Sequence, residues 1–361
     1  MSPPTVTLAR NAMATRFELV LHGENPVALR AAGEAALDEI ERLENQMSLY
    51  RPGSEIAQLN ARAAREAVRV TPELFALLRQ AQRLHAETCG AFDITVAPLV
   101  RCWGFMGGQG GGFSDQSDKS DGSGRSDGEW RPPTDSPSRD AVTEARSKVG
   151  MHHLLLHPAE RTVSFARDGV MLDLGAIGKG YAVERAAEIL REAGVKSALL
   201  HGGTSTVCAI GSPPGAEFWN VALESPPEWE RQVAFRRVSN DGQPQAEAVL
   251  DAPLMAASIH LRDEALSVSA IRGRCFESGG KTFGHVIDPG TGRPVENALL
   301  AAVVLRSATE TDALSTALLT LGGAGLDRLA RIRPGLRALI LSREAGKLTV
   351  AGLGLPDFAL P

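Results

Sequence analysis

Hydrophobic residues recur at helical spacing in two long stretches of the N-terminal third of the chain. Between residues 26 and 48, and again between 72 and 88, they fall on one face of a helix with a period of 3.6 residues. The positions are Leu29, Ala36, Leu37, Ile40, Leu43 and Met47 in the first stretch and Leu74, Leu77, Leu78, Ala81 and Leu84 in the second. Both patterns predict amphipathic helices.

Further along the chain, helical patterns alternate with short apolar runs. We predict a third helix from about Ile177 to Glu192, ended by Gly194, and a fourth over Thr311–Leu321, closed by two glycines. The apolar runs that predict strands are Phe17–Leu21, Val170–Leu174, Ala198–Leu200, Leu299–Leu305 and Ala338–Leu341. The mixture of elements predicts an α/β (mixed α+β) fold.

One stretch lacks any such pattern. In residues 107–140, Gly, Ser, Asp and Pro make up 24 of 34 positions. Such a segment buries too little apolar area to offset the entropy that ordering it would cost. We therefore predict a disordered insertion there.

Composition narrows the function classes. The chain has 361 residues, is 43% hydrophobic and 22% charged, and carries a net charge of -5. It shows no basic stripe, so we expect no nucleic-acid partner. It has no apolar run long enough to span a membrane, and no basic-then-apolar pattern follows Met1 as in a signal peptide. Its four cysteines are far apart in the sequence and form no CxxC pair, so we expect them to be reduced thiols. We expect a cytoplasmic protein, although an exported domain without its leader would look the same.

Two glycine-rich segments follow predicted strands. Residues 172–181 contain Gly175, Gly178 and Gly180 at the start of the third helix, where free N–H groups can receive an anion. In residues 198–206, the turn Gly202-Gly203-Thr204 offers backbone amides that can cradle a phosphate. Taken alone, the first segment is equally compatible with an ordinary tight turn, and for the second a plain turn is the favoured interpretation.

The segment 285–294 combines a histidine with a turn-forming run. His285 and Asp288 flank two apolar residues and precede Pro-Gly-Thr-Gly. Histidine suits proton transfer near neutral pH because of its unperturbed pKa. The alternative is a surface turn with an incidental histidine.

Asp312 and Thr316 lie one helical turn apart at the start of the fourth predicted helix. They therefore share a face, where a carboxylate and a hydroxyl can hold a hard cation together with phosphate oxygens. The alternative is an acidic residue favoured by the helix dipole and a threonine in the core.

Three further residues are candidates for a pocket. Tyr50 follows the first helix, next to a Pro-Gly turn, and can stack on a flat ring or serve as a half-buried structural tyrosine. Asp93 and Thr95 can line a pocket or cap a turn.

Together these segments resemble the ApbE family of flavin transferases. The matching segments follow the family's order: Tyr-Arg-Pro-Gly-Ser-Glu-Ile at 50–56, Gly-Ala-Phe-Asp-Ile-Thr-Val-Ala-Pro-Leu at 90–99 with Trp-Gly-Phe at 103–105, Asp-Leu-Gly-Ala-Ile-Gly-Lys-Gly-Tyr-Ala at 173–182, His-Val-Ile-Asp-Pro-Gly-Thr-Gly at 285–292, and Asp-Ala-Leu-Ser-Thr-Ala at 312–317. Matches lie on both sides of residues 107–140. This predicts a single ApbE-like domain over residues 1–361, with 107–140 inserted into it.

The resemblance implies an activity and assigns roles. Members split FAD and attach FMN, through its phosphate, to a Ser or Thr of an acceptor protein, and AMP leaves. By resemblance, Mg²⁺ is held by Asp312, Thr316 and the backbone carbonyl of Ala176. His285, oriented by Asp288, deprotonates the acceptor hydroxyl, and Tyr50 lies against a ring of FAD. The other residues expected at FAD are Asp93, Thr95, Gly178, Lys179, Gly202, Gly203 and Thr204.

The chain also departs from the family's pattern. Thr204 stands where the family reads Gly-Gly-Asp, and Arg272 lies where an acid is expected before the His-x-x-Asp-Pro motif. Ala14 replaces the glycine of Met-Gly-Thr. The loss of two acids leaves two alternatives open: a non-catalytic FAD-binding paralogue, and an FAD pyrophosphatase that gives free FMN and AMP.

Overall fold

The computed structural model describes residues 3–106, 133–223, 233–238, 244–250, 257–271, 274–344 and 347–354. Of the predicted insertion 107–140, residues 107–132 lie outside this range, as do Arg272 and Gly273. Arg139 and Asp140 open a helix whose first turn is capped by Ser138, so the C-terminal boundary predicted for the insertion is too late.

The predicted helices are present, with ends that differ by a few residues. The helices of the described part are α1 (Pro26–Met47), α2 (Glu55–Arg62), α3 (Pro72–Glu87), α4 (Ala97–Cys102), α5 (Arg139–Arg146), α6 (Gly178–Glu192), α7 (Ala308–Leu321) and α8 (Gly325–Ile332). Helix α1 starts where Asn25 accepts hydrogen bonds from the amides of Val27 and Ala28, and Pro26 supplies the fixed φ of a first turn. None of these helices is long and apolar enough to cross a membrane.

The strands run from β1 to β19 in chain order. They are β1 (Thr5–Ala12), β2 (Thr15–His22), β3 (Val68–Arg69), β4 (Leu154–His157), β5 (Thr162–Phe165), β6 (Ser197–Gly202), β7 (Thr206–Ile210), β8 (Trp219–Leu223), β9 (Val233–Val238), β10 (Pro244–Leu250), β11 (Ala257–Leu261), β12 (Ala265–Ala270), β13 (Cys275–Ser278), β14 (Lys281–Gly284), β15 (Ile287–Asp288), β16 (Arg293–Pro294), β17 (Ala298–Leu305), β18 (Arg337–Glu344) and β19 (Lys347–Leu353).

Ten of these strands form one sheet in the order β1-β2-β6-β7-β12-β17-β18-β19-β9-β10. Neighbouring strands are antiparallel except β19 and β9, which are parallel. Antiparallel neighbours can be joined by short turns, so a helix is not needed between every pair of strands. The predicted mixed α/β fold is confirmed, and its main sheet is mostly antiparallel.

Both faces of the sheet are covered around β18, as its alternate residues show. Ala338 and Ile340 belong to a large core that includes α1, α6 and α7. Leu339 and Leu341 point the other way, into a second core shared with β8 and β11. A strand buried on both faces reads as an unbroken apolar run, which is the pattern of β17.

The predicted strand Val170–Leu174 is wrong, because these residues join no sheet. Its backbone groups are satisfied elsewhere, because Leu172 exchanges hydrogen bonds with the Asn60 side chain and the Asp173 amide donates to the Ile94 carbonyl. An apolar run bounded by turns does not reveal whether its partners are strands or loops.

The two-residue turn between β1 and β2 places Met13 and Ala14 in the left-handed region, at φ 50° and 58°. Such a turn matches the twist of a hairpin, but an L residue there costs roughly 1 kcal/mol. Replacing Ala14 with glycine should therefore raise the free energy of unfolding by about 1 kcal/mol. Equilibrium denaturation in urea would measure this change.

The matched control is Ala9→Gly, at an exposed position within β1. Glycine in a strand interior adds unfolded-state entropy without relieving strain, so we expect a loss of about 0.5–1 kcal/mol. Two changes of the same sign would show that Ala14 is not strained.

Candidate active site

A cavity of about 930 Å³ lies where α7, the residues before α6 and the segment around His285 meet. This volume is at the upper end for small-molecule sites. Nine of the predicted site residues line it: Tyr50, Asp93, Ala176, Lys179, Gly203, Thr204, His285, Asp312 and Thr316. The other four, Thr95, Gly178, Gly202 and Asp288, do not line it.

Asp312 is fixed by a close approach of α6 and α7. Its side chain is nearly fully buried, and its Oδ2 accepts a hydrogen bond of 2.9 Å from the Gly180 amide. No side chain fits at Gly180, because a Cβ there would lie 2.2 Å from the Ala308 carbonyl oxygen. The glycine thus allows the backbone of α6 to reach the carboxylate.

A second contact holds the same pair of helices. One carboxylate oxygen of Glu184, on α6, accepts hydrogen bonds of 2.7 Å from the Ser307 hydroxyl and the Thr309 amide. These groups belong to the start of α7, where backbone amides lack helical partners. Glu184 and Gly180 therefore fix the N-terminal half of α7 from one face of α6.

Ala176 lies just before α6 and lines the same cavity as Asp312. The Gly180 amide belongs to the first turn of α6, where amides have no acceptor within the helix. It donates to Asp312 instead, and the Ala176 carbonyl accepts no hydrogen bond from any residue that the structure describes. This carbonyl belongs to a residue that lines the cavity together with the buried Asp312 carboxylate, so it is available to a ligand there.

Thr316 lies in a group of hydroxyls between β12 and α7. Ser269 Oγ is 2.8 Å from Ser315 Oγ and 3.0 Å from Thr316 Oγ1. The Thr316 hydroxyl also donates to the Asp312 carbonyl at 3.3 Å. These contacts hold its oxygen at the cavity, one turn after the Asp312 carboxylate.

The oxygen donors of Asp312, Thr316 and Ala176 fit a hard cation such as Mg²⁺. One carboxylate, one hydroxyl and one carbonyl are few ligands for a metal ion. This number suits Mg²⁺, which commonly completes its coordination shell with water and substrate phosphate. Within the described ranges there is no group of three or more His, Cys, Asp or Glu that would suit a metal held by the protein alone.

His285 presents a half-buried ring to the cavity. Burial lowers the pKa of its imidazole, and the positive charges of Lys179 and Arg274 lower it further, against a backbone hydrogen bond at Arg274 that raises it. Its buried Nδ1 has no hydrogen-bond partner in the part of the chain that the structure describes. A neutral ring with a free nitrogen can accept a proton.

This environment predicts that His285 titrates below its ordinary pKa of 6.5. The unprotonated form is favoured because the charged ring would be desolvated and would face two cations. A pH titration followed by NMR, on protein whose histidines carry an isotope label, would measure the midpoint for His285. The signal of His285 is assigned as the one that disappears in the His285→Gln variant. A midpoint at or above 6.5 would contradict the expectation.

Asp288 does not orient His285 in this structure. Its Oδ1 accepts the Gly290 amide at 2.8 Å and its Oδ2 accepts the Thr291 hydroxyl at 2.8 Å. Both oxygens therefore close the turn, as Asp commonly does ahead of glycine. The orienting hydrogen bond expected from the resemblance is absent among the described residues, because the turn competes for the carboxylate.

Thr95 supports Asp93 rather than lining the cavity. Its amide and hydroxyl donate to Asp93 Oδ1 at 2.7 and 2.6 Å, and its oxygen accepts the Gly150 amide. His85 Nδ1 lies 3.4 Å from Asp93 Oδ2. Burial raises the pKa of Asp93, while Thr95 and His85 oppose the shift. An aspartate held this way presents a fixed acceptor to the cavity.

Two predicted glycines, Gly178 and Gly202, do not line the cavity. Gly178 begins α6, and its amide donates to the Leu174 carbonyl at 2.7 Å, so it is not free for an anion. Gly202 faces Val183 and Phe17, where a Cβ would be too close. Gly203 has φ +65° and would clash with the Thr15 hydroxyl if substituted, which leaves Thr204 exposed at the cavity.

Asp173 and Arg274 are among the ionisable residues at the cavity that sequence reasoning missed. Asp173 lines it, and burial raises the pKa of this carboxyl group against the opposing effects of the Gly175 amide and of Lys179. Arg274 lines the same cavity. Asp173 was missed because its Asp-Leu-Gly segment was predicted to belong to a strand. Arg274 was missed because no recognised motif includes it.

Comparisons with known proteins agree with this arrangement. The model of the ApbE family matches residues 13–340. An FAD:protein FMN transferase of Klebsiella pneumoniae (strain 342) is 26% identical over 320 residues, covering 88% of this chain and 77% of the relative. One from Escherichia coli (strain K12) is 26% identical over 301 residues, covering 82% and 73%.

Solved structures share the fold. The ApbE protein of Thermotoga maritima superposes with a TM-score of 0.70 at 25% identity, covering 94% of each chain. The apo flavinyl transferase ApbE of Pseudomonas stutzeri gives a TM-score of 0.74 at 24% identity over 99% of each chain. Since the family model spans nearly the whole chain and the fold matches over the same length, this protein belongs to the ApbE family.

Proposed function

We propose that this protein is an FAD:protein FMN transferase that requires Mg²⁺, uses a Ser or Thr hydroxyl of an acceptor protein and releases AMP. The names of its relatives support the reaction class. The observation that carries the proposal is the buried Asp312 carboxylate, held by the Gly180 amide in a cavity that is also lined by Ala176 and Thr316.

The cation would lie among the oxygens of Asp312, Thr316 and Ala176. When bound, Mg²⁺ would neutralise charge on the phosphates of FAD and orient them. Asp312 supplies the negative charge, and the Gly180 amide and the hydroxyls of Ser269 and Ser315 keep the donors in place.

His285 is the base in this proposal. Its lowered pKa keeps the imidazole neutral at neutral pH, ready to take the proton of the acceptor hydroxyl. The hydroxyl oxygen forms a bond to the phosphorus of the FMN half, the bond from that phosphorus to the bridging oxygen breaks, and AMP leaves with that oxygen. Atoms balance without an oxidant or reductant.

Lys179 and Arg274 supply positive charge to the same cavity. The Lys179 ammonium group donates to the Gly175 carbonyl at 3.2 Å, which holds it close to the residues before α6. Cations fixed in this way stabilise the charge of a pyrophosphate as its bond breaks. Tyr50, at an exposed position on the cavity, is suited to stacking on a flat ring.

A single assay tests the proposal. Protein is incubated with FAD and Mg²⁺, with or without EDTA, and with a Ser- and Thr-containing acceptor fragment. AMP is followed by chromatography and the acceptor by mass spectrometry. We expect metal-dependent AMP together with an acceptor that gains the mass of FMN. AMP with free FMN would instead indicate a pyrophosphatase, and bound FAD without AMP would indicate a non-catalytic paralogue.

A further inference from the structure

A second, smaller cleft of about 300 Å³ lies beside the hairpin that carries the His-x-x-Asp-Pro motif. Its charged lining consists of Arg139, Arg146, Lys281 and Arg293 together with one acidic residue, Glu296. We call it the basic cleft. The lining of this cleft is therefore mainly positive, whereas the whole chain carries a net charge of -5.

Most of this positive charge is not neutralised within the described ranges. Lys281 lies 3.9 Å from Glu296. Arg139, Arg146 and Arg293 have no carboxylate within 4.0 Å among the residues that the structure describes. All three side chains belong to exposed residues, so their guanidinium groups are accessible to a partner.

The hairpin separates the basic cleft from the main cavity. Ile287 and Pro289 line the main cavity, whereas Thr291 and Arg293 line the basic cleft. The strands β15 and β16 pair Asp288 with Arg293, and Trp103 Nε1 donates to the Gly292 carbonyl at 2.8 Å beneath the turn. A partner in the basic cleft would therefore lie next to the segment that carries His285.

From this placement we propose that the basic cleft docks an acidic segment of the acceptor protein. The inference rests on the proposed function, because a protein substrate needs contact surface beside the atom that reacts. Arginines on both α5 and β16 present several donors to carboxylates spread along a chain. Since the protein as a whole is acidic, this local patch selects and steers a partner that the rest of the surface repels.

The first test measures binding without any transfer. A fluorescein-labelled hexaglutamate peptide is titrated with the full-length protein, and anisotropy is followed at low and high salt. We expect saturable binding that weakens as salt rises, because exposed ion pairs are screened. The Arg139→Glu/Arg146→Glu double variant should bind about tenfold more weakly.

The matched control is Arg30→Glu/Arg65→Glu, which makes the same change of charge at exposed residues outside the basic cleft. It should retain nearly the affinity of the unchanged protein. Equal weakening in both double variants would overturn the proposal, since only net charge would matter. Failure of the peptide to bind, or its displacement by inorganic phosphate at matched ionic strength, would also overturn it.

The second test links the basic cleft to transfer. Two peptides share a serine core and carry flanking glutamates or flanking lysines. The glutamate peptide should have the lower KM for FMN transfer, and the α5 double variant should remove that advantage while leaving the KM for FAD unchanged. An unchanged preference would overturn the docking role. If neither peptide is flavinylated, the proposed function fails, while the binding test still decides whether the basic cleft takes acidic chains.

Discussion

Replacing Asp312 with asparagine should reduce FMN transfer on the order of 10²- to 10³-fold, the range typical for losing one electrostatic contact to the reacting group. Asparagine keeps the shape and can still accept the Gly180 amide, but it removes the buried negative charge from the set of oxygens formed with Thr316 and the Ala176 carbonyl. Initial rates of AMP release at several Mg²⁺ concentrations would measure the effect.

Asp327→Asn provides the control for this change. Asp327 is exposed on α8 and lies outside the cavity lining, so its amide variant should transfer FMN at the original rate. Thermal unfolding of both variants would show whether a lower transfer rate comes from the missing charge or from unfolding of the protein. An Asp312→Asn protein that is folded and fully active would remove the basis for the proposed cation site.

Replacing Gly180 with alanine should lower the free energy of unfolding by about 2–4 kcal/mol, because overpacking a rigid contact is costly. The added methyl would lie 2.2 Å from the Ala308 carbonyl oxygen and 2.6 Å from Asp312 Cβ. Neither is the end of a flexible side chain, so α6 and α7 have to separate. Denaturant titration would measure the loss, and transfer should fall with it as the Asp312 contact breaks.

Gly178→Ala, two residues earlier, is the matched control for stability. A Cβ there meets only Leu174 Cβ at 3.7 Å, which is ordinary contact. Alanine also favours a helix over glycine, so the protein should be unchanged or slightly stabilised. Equal destabilisation by both alanines would show that the approach of α6 to α7 is not the cause.

Hydrophobic periodicity predicted the helices well and one strand poorly. The positions from Leu29 to Met47 are indeed the buried face of α1. The fourth helix begins earlier than predicted, at Ala308, because Ser307 caps it and the Thr309 amide donates to Glu184 of α6. The sequence contains both residues, but nothing in it shows that they meet.

The site was predicted more completely in its residues than in their contacts. Motif resemblance identified Asp312 and His285, and both line the cavity. It also paired Asp288 with His285, whereas that carboxylate closes its own turn through Gly290 and Thr291. Local hydrogen bonds of this kind compete with longer-range ones, and spacing along the chain does not decide between them.

The positions of Thr95 and Asp173 differ from expectation for a related reason. Thr95 was expected to contact FAD, yet its hydroxyl is buried between Asp93 and the Gly150 amide. Asp173 was placed in a strand, yet it reaches the cavity because its segment bonds to loops. Each difference includes a contact with a residue far away in sequence, Gly150 for Thr95 and Ile94 for Asp173, which a single chain's pattern does not encode.

The contact between Gly180 and Asp312 joins residues 132 positions apart. It has a consequence for how activity appears during synthesis and refolding. A nascent chain that has not yet emerged past α7 contains the segment before α6 but lacks the carboxylate, so it cannot assemble the site. In refolding, recovery of AMP release should lag behind recovery of helical circular dichroism, because closing so long a loop follows the formation of local helices. Activity thus reports on completion of the whole domain.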